Sequence, residues 1–287
     1  MQIPLLFFSE PTQHSSLYIG GVCMHQYSEP HMKYLLGLLL VTGVTGCGNR
    51  EHGALKDLGA TIQTSPNGDI SIRLEDTRVS NTDLEHLKDL AKLRSLSLNN
   101  TQITDVDLAQ LKGLTNLSYL YLNNNPISDS GLSHLKGLKS LSYLYLNNTH
   151  VTDTGLECLQ GLPTLTRIHL NDTQVTDLAL EQLKQVTAFE LAGTQITDAG
   201  LAQLKARPVC EWLHLGKTDI TDAGLQHLEN LTMLAYLNLS MTAVTDDGLK
   251  YLKKLTNLTV LFLNGTKVTN QGIAELKLAL PKCKIIH

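Results

Sequence analysis

The chain has 287 residues, with 23 Lys+Arg against 27 Asp+Glu and a formal net charge of −4. That balance gives no electrostatic case for nucleic acid, whose binding rests on clustered Lys and Arg facing phosphate. With 42% hydrophobic and 17% charged residues, the composition is that of an ordered domain rather than a solvated tail.

Residues 1–31, MQIPLLFFSEPTQHSSLYIGGVCMHQYSEPH, carry no pattern of their own. From Met32 the chain reads MKYLLGLLLVTGVTGC: one Lys, an apolar run, then Val44-Thr45-Gly46-Cys47. The run from Tyr34 to Thr45 is about 12 residues, too short to span a bilayer as a helix. In that order these features resemble a bacterial lipoprotein signal peptide over 32–46, with its lipobox at 44–47. Translation is then expected to start at Met32, leaving 1–31 as a disordered upstream extension. The resemblance implies cleavage before Cys47, lipid attachment to its thiol and acylation of the new amino group. Several acyl chains on one residue hold a protein firmly at a membrane. Gly48, rather than Asp, after the Cys leans towards the outer membrane by the sorting pattern of such lipoproteins. The implied location is the bacterial cell envelope. The competing reading of Cys47 is a small-residue cysteine at the end of a core helix.

Residues 47–72 are expected to hold the anchor and an N-terminal cap. GNREHGALKDLGA predicts a short helix ending near Gly59. TIQTSPNGDISIRLED alternates, and Pro66-Asn67-Gly68-Asp69 predicts a hairpin turn. That hairpin would cover the open edge of the first repeat.

Residues 73–287 repeat one unit, clearest in Leu141 to Thr164, LSYLYLNNTHVTDTGLECLQGLPT. Leu141, Leu144 and Leu146 end in the period-two pattern of a strand with one buried face. Leu156, Leu159 and Leu162 recur every three residues, as on the inner face of a short helix. Aligning on the Thr after each strand gives Thr77, Thr101, Asn125, Thr149, Thr173, Thr194, Thr218, Thr242 and Thr266. Each step is 24 residues except Thr173 to Thr194, where 21 residues should disturb the stack near Phe189. One unit buries about seven apolar side chains, roughly 10–20 kcal/mol gross. Ordering its backbone costs about 24–48 kcal/mol. No unit folds alone, so the units must stack as a solenoid.

These residues resemble the leucine-rich repeat family, L-x-x-L-x-L-x-x-N/C-x-L, with Thr usually at the Asn/Cys position. The continuation ITDAGL at 196–201 and 220–225, and VTDDGL at 244–249, is similar to bacterial and F-box-associated repeats. The resemblance implies an α/β leucine-rich-repeat solenoid of about nine repeats. Its curved parallel β-sheet would line the concave face and its helices the convex face. The recurring Thr would satisfy backbone groups between turns. The Thr-Asp before each helix would cap it by hydroxyl or carboxylate. Asp105, Asp129, Asp153, Asp177, Asp198, Asp222 and Asp246 are therefore structural. LALPKCKIIH predicts a closing strand.

Chemistry is hard to find in this chain. Cys158, Cys210 and Cys283 suit small buried hydrophobes, and Cys210 and Cys283 lie about three strand spacings apart, roughly 14 Å, beyond disulfide reach. His86, His134 and His227 share one helical position in repeats that are not neighbours, too few ligands for a metal. There is no glycine-rich phosphate loop and no G-x-S-x-G. No enzyme, cofactor or metal is expected.

The exposed positions of each strand are more informative. The third reads Ser71, Ser95, Tyr119, Tyr143, Arg167, Ala188, Trp212, Tyr236 and Val260. The fifth reads Arg73, Ser97, Tyr121, Tyr145, His169, Glu190, His214, Asn238 and Phe262. The seventh, Glu75, Asn99, Asn123, Asn147, Asn171, Ala192, Gly216, Ser240 and Asn264, is expected to face the same side. Seven of the nine aromatic residues after Cys47 stand in these columns, including the only Trp. Tyr, Trp and Arg most often anchor interfaces. The candidate partner-binding residues are Tyr119, Tyr121, Tyr143, Tyr145, Arg167, His169, Glu190, Trp212, His214, Tyr236 and Phe262. A protein or peptide ligand is the first expectation. An envelope glycan, stacked on aromatic faces and held by the Asn column, is the second. An intracellular adaptor, as in F-box-associated repeats, is the third.

Overall fold

The computed structural model describes residues 18–19, 22–23, 51–207 and 209–287. The expected signal peptide and Cys47 lie outside the described residues, as does the upstream extension apart from four residues. Those four are β1 (Tyr18–Ile19) and β2 (Val22–Cys23), paired antiparallel within a unit, Met1–Cys47, distinct from Gly48–His287.

The second unit opens with a helix, Glu51–Asp57, that ends as expected before Gly59, whose φ is +88°. Then come β3 (Thr61–Thr64) and β4 (Ile70–Arg73), antiparallel, joined by a turn in which Gly68 takes φ +84°. From β4 onward the strands run parallel in chain order. They are β5 (Leu93–Ser97), β6 (Tyr119–Tyr121), β7 (Tyr143–Tyr145), β8 (Arg167–His169), β9 (Ala188–Glu190), β10 (Trp212–His214), β11 (Tyr236–Asn238), β12 (Val260–Phe262) and β13 (Lys284–Ile286). Strand β4 belongs both to the hairpin cap and to the first repeat, so the two are continuous. Among the described residues no helix is long and apolar enough to cross a membrane.

Each strand buries its fourth and sixth residues, such as Leu144 and Leu146 or Leu213 and Leu215, all 0% exposed. The returns are helices of four or five residues or 3-10 turns, with Leu156 and Leu159 packed beneath the sheet, except the last, a ten-residue helix Asn270–Ala279 leading to β13. The residue before the aligned Thr always enters the left-handed region. It is Asp76, Asn100, Asn124, Asn148, Asp172, Gly193, Lys217, Met241 or Gly265, with φ between +53° and +69°. This explains the frequent Asn, Asp and Gly there: they tolerate positive φ at little cost.

One expectation about the ladder is corrected and another is narrowed to one of its alternatives. The aligned Thr does not link turns: from Thr101 on, each hydroxyl donates to the carbonyl three residues back, as Thr149 does to Leu146 O at 2.7 Å. Asn125 does reach across: its amide donates to Leu98 O of the preceding repeat (2.8 Å) as well as to Leu122 O of its own (3.0 Å), and its Oδ1 accepts from Thr101 N (3.0 Å). The Asp carboxylates do not cap their own helices either. Asp198 accepts from Thr221 N (2.8 Å) and Thr221 Oγ1 (2.5 Å) of the next repeat, while Thr221 Oγ1 accepts from Ala223 N. The hydroxyl is the cap, and the carboxylate before it in the stack holds that hydroxyl in place. Asp129, Asp153, Asp177, Asp222 and Asp246 do the same, as does Asp105 with Ser128.

The glycine of T-D-x-G-L follows from this contact. A Cβ on Gly155, Gly224 or Gly248 would lie under 3.0 Å from the bridging carboxylate of the preceding repeat. The 21-residue step also departs from expectation. Register passes unbroken from Arg167 through Ala188 to Trp212, and Phe189 is 0% exposed at a Leu position. The deletion is taken on the helical side, where Leu178–Gln182 ends without a following 3-10 turn. Arg207 from the next repeat fills the gap. Its guanidinium donates to Leu180 O (2.7 Å), Leu183 O (2.6 Å) and Val186 O (2.7 Å) and lies 5.3 Å from the Phe189 ring.

Candidate functional site: the sheet face

Alternation puts the third and fifth residues of every strand on the sheet face opposite the leucine core. Because the parallel register is one-to-one, equal positions in successive repeats become neighbours. Tyr119 pairs with Tyr143, Tyr143 with Arg167, and Trp212 with Tyr236. Strand spacing of about 4.8 Å is close to the thickness of stacked rings, so the aromatic columns stack.

Tyr119 and Tyr143 lie 4.6 Å apart at 15°, and Tyr121 and Tyr145 4.2 Å apart at 19°. The second stack continues into His169, 4.0 Å from Tyr145. Farther along the sheet, Trp212 and Tyr236 lie 3.5 Å apart at 2°, and Phe262 tilts against Tyr236 at 5.6 Å. The exposed part of the surface is therefore narrower than the column pattern alone implies. Tyr119 is 38% exposed, whereas His169 and Tyr236 are only 8% and 5% exposed.

Between the two aromatic groups lies a polar cluster. The Glu190 side chain is 12% exposed. It accepts from Trp212 Nε1 (2.6 Å), His214 Nδ1 (2.5 Å) and Asn171 Nδ2 (3.2 Å). Burial alone would raise its carboxyl. Donation from His214 and the nearby imidazoles outweigh that and hold it at about 2, so it stays ionised. Burial pushes His169 the other way, to about 4, against the attraction of Glu190, so its ring is neutral at pH 7. His169 Nε2 is buried without a hydrogen-bond partner. Burial also raises the phenols of Tyr119, Tyr121 and Tyr145, which remain protonated donors.

Arg167 stands at the junction. Its guanidinium lies 5.6 Å from the Tyr143 ring centroid and 5.3 Å from that of Trp212, above the small Ala188. Among the described residues no carboxylate lies within salt-bridge distance of it.

The seventh-position Asn column is not presented for binding, contrary to expectation. Asn123 N donates to Asn99 Oδ1 (2.9 Å), Asn147 N to Asn123 Oδ1 (2.8 Å), and Asn171 N to Asn147 Oδ1 (2.8 Å). These side chains satisfy backbone groups between repeats, and Asn99 and Asn123 are 8% and 7% exposed. Asn171, as a partner of Glu190, and Arg207, as a plug, were not foreseeable from single repeats. The run of Asn at 99, 123, 147 and 171 was the one available sign of a ladder. Among the described residues no group of His, Cys, Asp and Glu could hold a metal ion.

An eleven-stranded sheet of one-to-one repeats with short return helices defines a solenoid, and comparison with known proteins agrees. The family Leucine Rich repeats (2 copies) matches residues 91–137 and 115–163, and the family Leucine Rich repeat matches 230–253. The chain therefore contains leucine-rich repeats. Among solved structures it is similar to internalin C2 (inlC2) of Listeria monocytogenes, at 23% identity and TM-score 0.50. That match covers 82% of this chain and 91% of the other. Internalin (inlF) of the same organism matches at 22% identity and TM-score 0.41, over 82% of this chain and 93% of that one. At these identities the likeness concerns the fold. No curated protein matches the chain.

Proposed function

We propose that this protein is a lipid-anchored envelope protein whose sheet face binds another protein. The observation carrying the binding part is the concentration of stacked aromatics around Arg167 on that single face. Leucine-rich repeat domains generally bind protein partners, which fits the same reading. The anchoring part rests on the order Lys33, apolar run and Val44-Thr45-Gly46-Cys47. The glycan alternative loses its Asn column, whose carbonyl oxygens already accept backbone N–H groups.

Capture from an envelope fraction on the immobilised full chain tests the binding part. Tyr119→Ala with Tyr143→Ala should abolish capture and leave the far-UV spectrum unchanged. Retained capture would put the site elsewhere. These residues are cleaner probes than Trp212, whose removal strips a donor from buried Glu190. Mass spectrometry of the mature protein tests the anchor: a lipid-modified N-terminal peptide should begin at Cys47. An unmodified start at Met1 or Met32 would remove the anchor.

A further inference from the structure

We infer that the sheet face recognises an extended peptide segment with a carboxylate side chain flanked, two residues away on each side, by apolar side chains. The inference rests on the protein-binding reading above and gives it a chemistry.

The reasoning starts from Arg167. Its guanidinium offers five N–H donors in a planar fork that matches a carboxylate. Neighbouring carboxylates do not occupy it, since Glu190 is committed to Trp212, His214 and Asn171. Tyr143 and Trp212 hold it from two sides, which limits its motion and lowers the dielectric around it. A monoanion suits this place better than a phosphate dianion. Glu190 keeps a negative charge two strands' breadth or less away, and one guanidinium cannot offset both.

Spacing gives the rest. Tyr143, Arg167, Ala188 and Trp212 occupy four successive strands in one column. Three steps of about 4.8 Å separate the Tyr143 and Trp212 positions by about 14 Å. An extended chain puts every second side chain on one face at about 3.3 Å per residue, so the first and fifth lie about 13 Å apart. A segment apolar-x-acid-x-apolar, laid along the column, puts its end residues over the Tyr119–Tyr143 and Trp212–Tyr236 stacks. Its central carboxylate then meets Arg167. The absence of a side chain beyond Cβ at Ala188, itself only 3% exposed, leaves room for the guanidinium to lie between the two stacks.

Trp212 is the only tryptophan, so its emission reports on this site directly. The probe is Phe-Thr-Glu-Thr-Phe in Gly-Ser flanks, titrated into the full chain beside versions with Gln or phosphoserine at the centre. The Glu peptide should saturate the change at a Kd at least tenfold below that of the Gln peptide. Arg167→Gln should erase that preference, and Arg167→Lys, which keeps charge but not the fork, should retain part of it. The Lys variant decides if the Gln variant fails to fold: a preference undiminished in Arg167→Lys overturns the assignment. So does equal binding of Glu and Gln peptides, or tighter binding of phosphoserine. If binding lacks the acid preference yet is lost in Tyr119→Ala/Tyr143→Ala, the sheet face still binds protein and only the carboxylate assignment fails. If no peptide binds but envelope capture still depends on those tyrosines, the short-segment inference alone fails.

Discussion

Met241 sits where most repeats place Asn, Asp or Gly, at φ +61° and 61% exposed. A side chain with a Cβ is strained there and gains little packing in return. Met241→Gly should stabilise the protein by about 0.5–1 kcal/mol in urea denaturation, through relief of that strain. A second residue-scale effect concerns pH. His169 takes a proton near 6.5 when unfolded but only near 4 in the fold. As pH falls from 6.5 to 4, the unfolded chain binds more protons, so stability falls, on the order of 3 kcal/mol. Glu190 acts lower, its contribution present above its ordinary value of 4.5 and lost as pH falls towards 2. His169→Phe keeps the stack on Tyr145 and removes the unpartnered nitrogen. It should flatten the denaturation midpoint between pH 6.5 and 4; an unchanged slope would contradict the burial argument.

At the scale of the repeat, strand and helix are joined to their neighbours by contacts about one period away. The Asp198 carboxylate both holds Thr221 and fills the space a side chain at 224 would need. Gly224→Ala should destabilise by about 1–3 kcal/mol, as overpacking does. Adding Asp198→Ala should cost less than the sum of the two single changes, because both act at one contact. Strict additivity would mean the glycine is present for another reason. At the short repeat, Arg207→Ala removes the guanidinium from the Leu180, Leu183 and Val186 carbonyls, of which Leu183 O keeps Val186 N as a donor. A loss of about 3 kcal/mol is expected by thermal denaturation. The strands and their columns were legible beforehand because alternation and a 24-residue period fix face and register together. The Asp198–Thr221 bridge and the Arg207 plug were not. They are side-chain contacts between repeats, and nothing within one repeat specifies which atom reaches which. The short step illustrates the difference: three missing residues were expected to disturb the stack near Phe189, yet the register from Arg167 through Ala188 to Trp212 is unbroken and the loss fell on the helical side.

Over the whole molecule, one face is spent on internal bonding and the other is left with chemistry to offer. The helical side closes its polar groups in Asp–Thr bridges, and the Asn column closes those at the strand ends. At the centre of the sheet face this leaves Tyr119, Tyr143 and the Arg167 fork beside Trp212. That surface was visible in the sequence as a list of residues. Which of them stay exposed was not, since the burial of His169 and Tyr236 follows from stacking across strands. Acrylamide quenching of Trp212 emission, with and without a protein captured from the envelope, asks whether the sheet face is the surface a partner covers. Bound partner should shield Trp212 and reduce the quenching constant at least twofold. An unchanged constant in a saturated complex would place the partner away from the sheet face and contradict the proposed function.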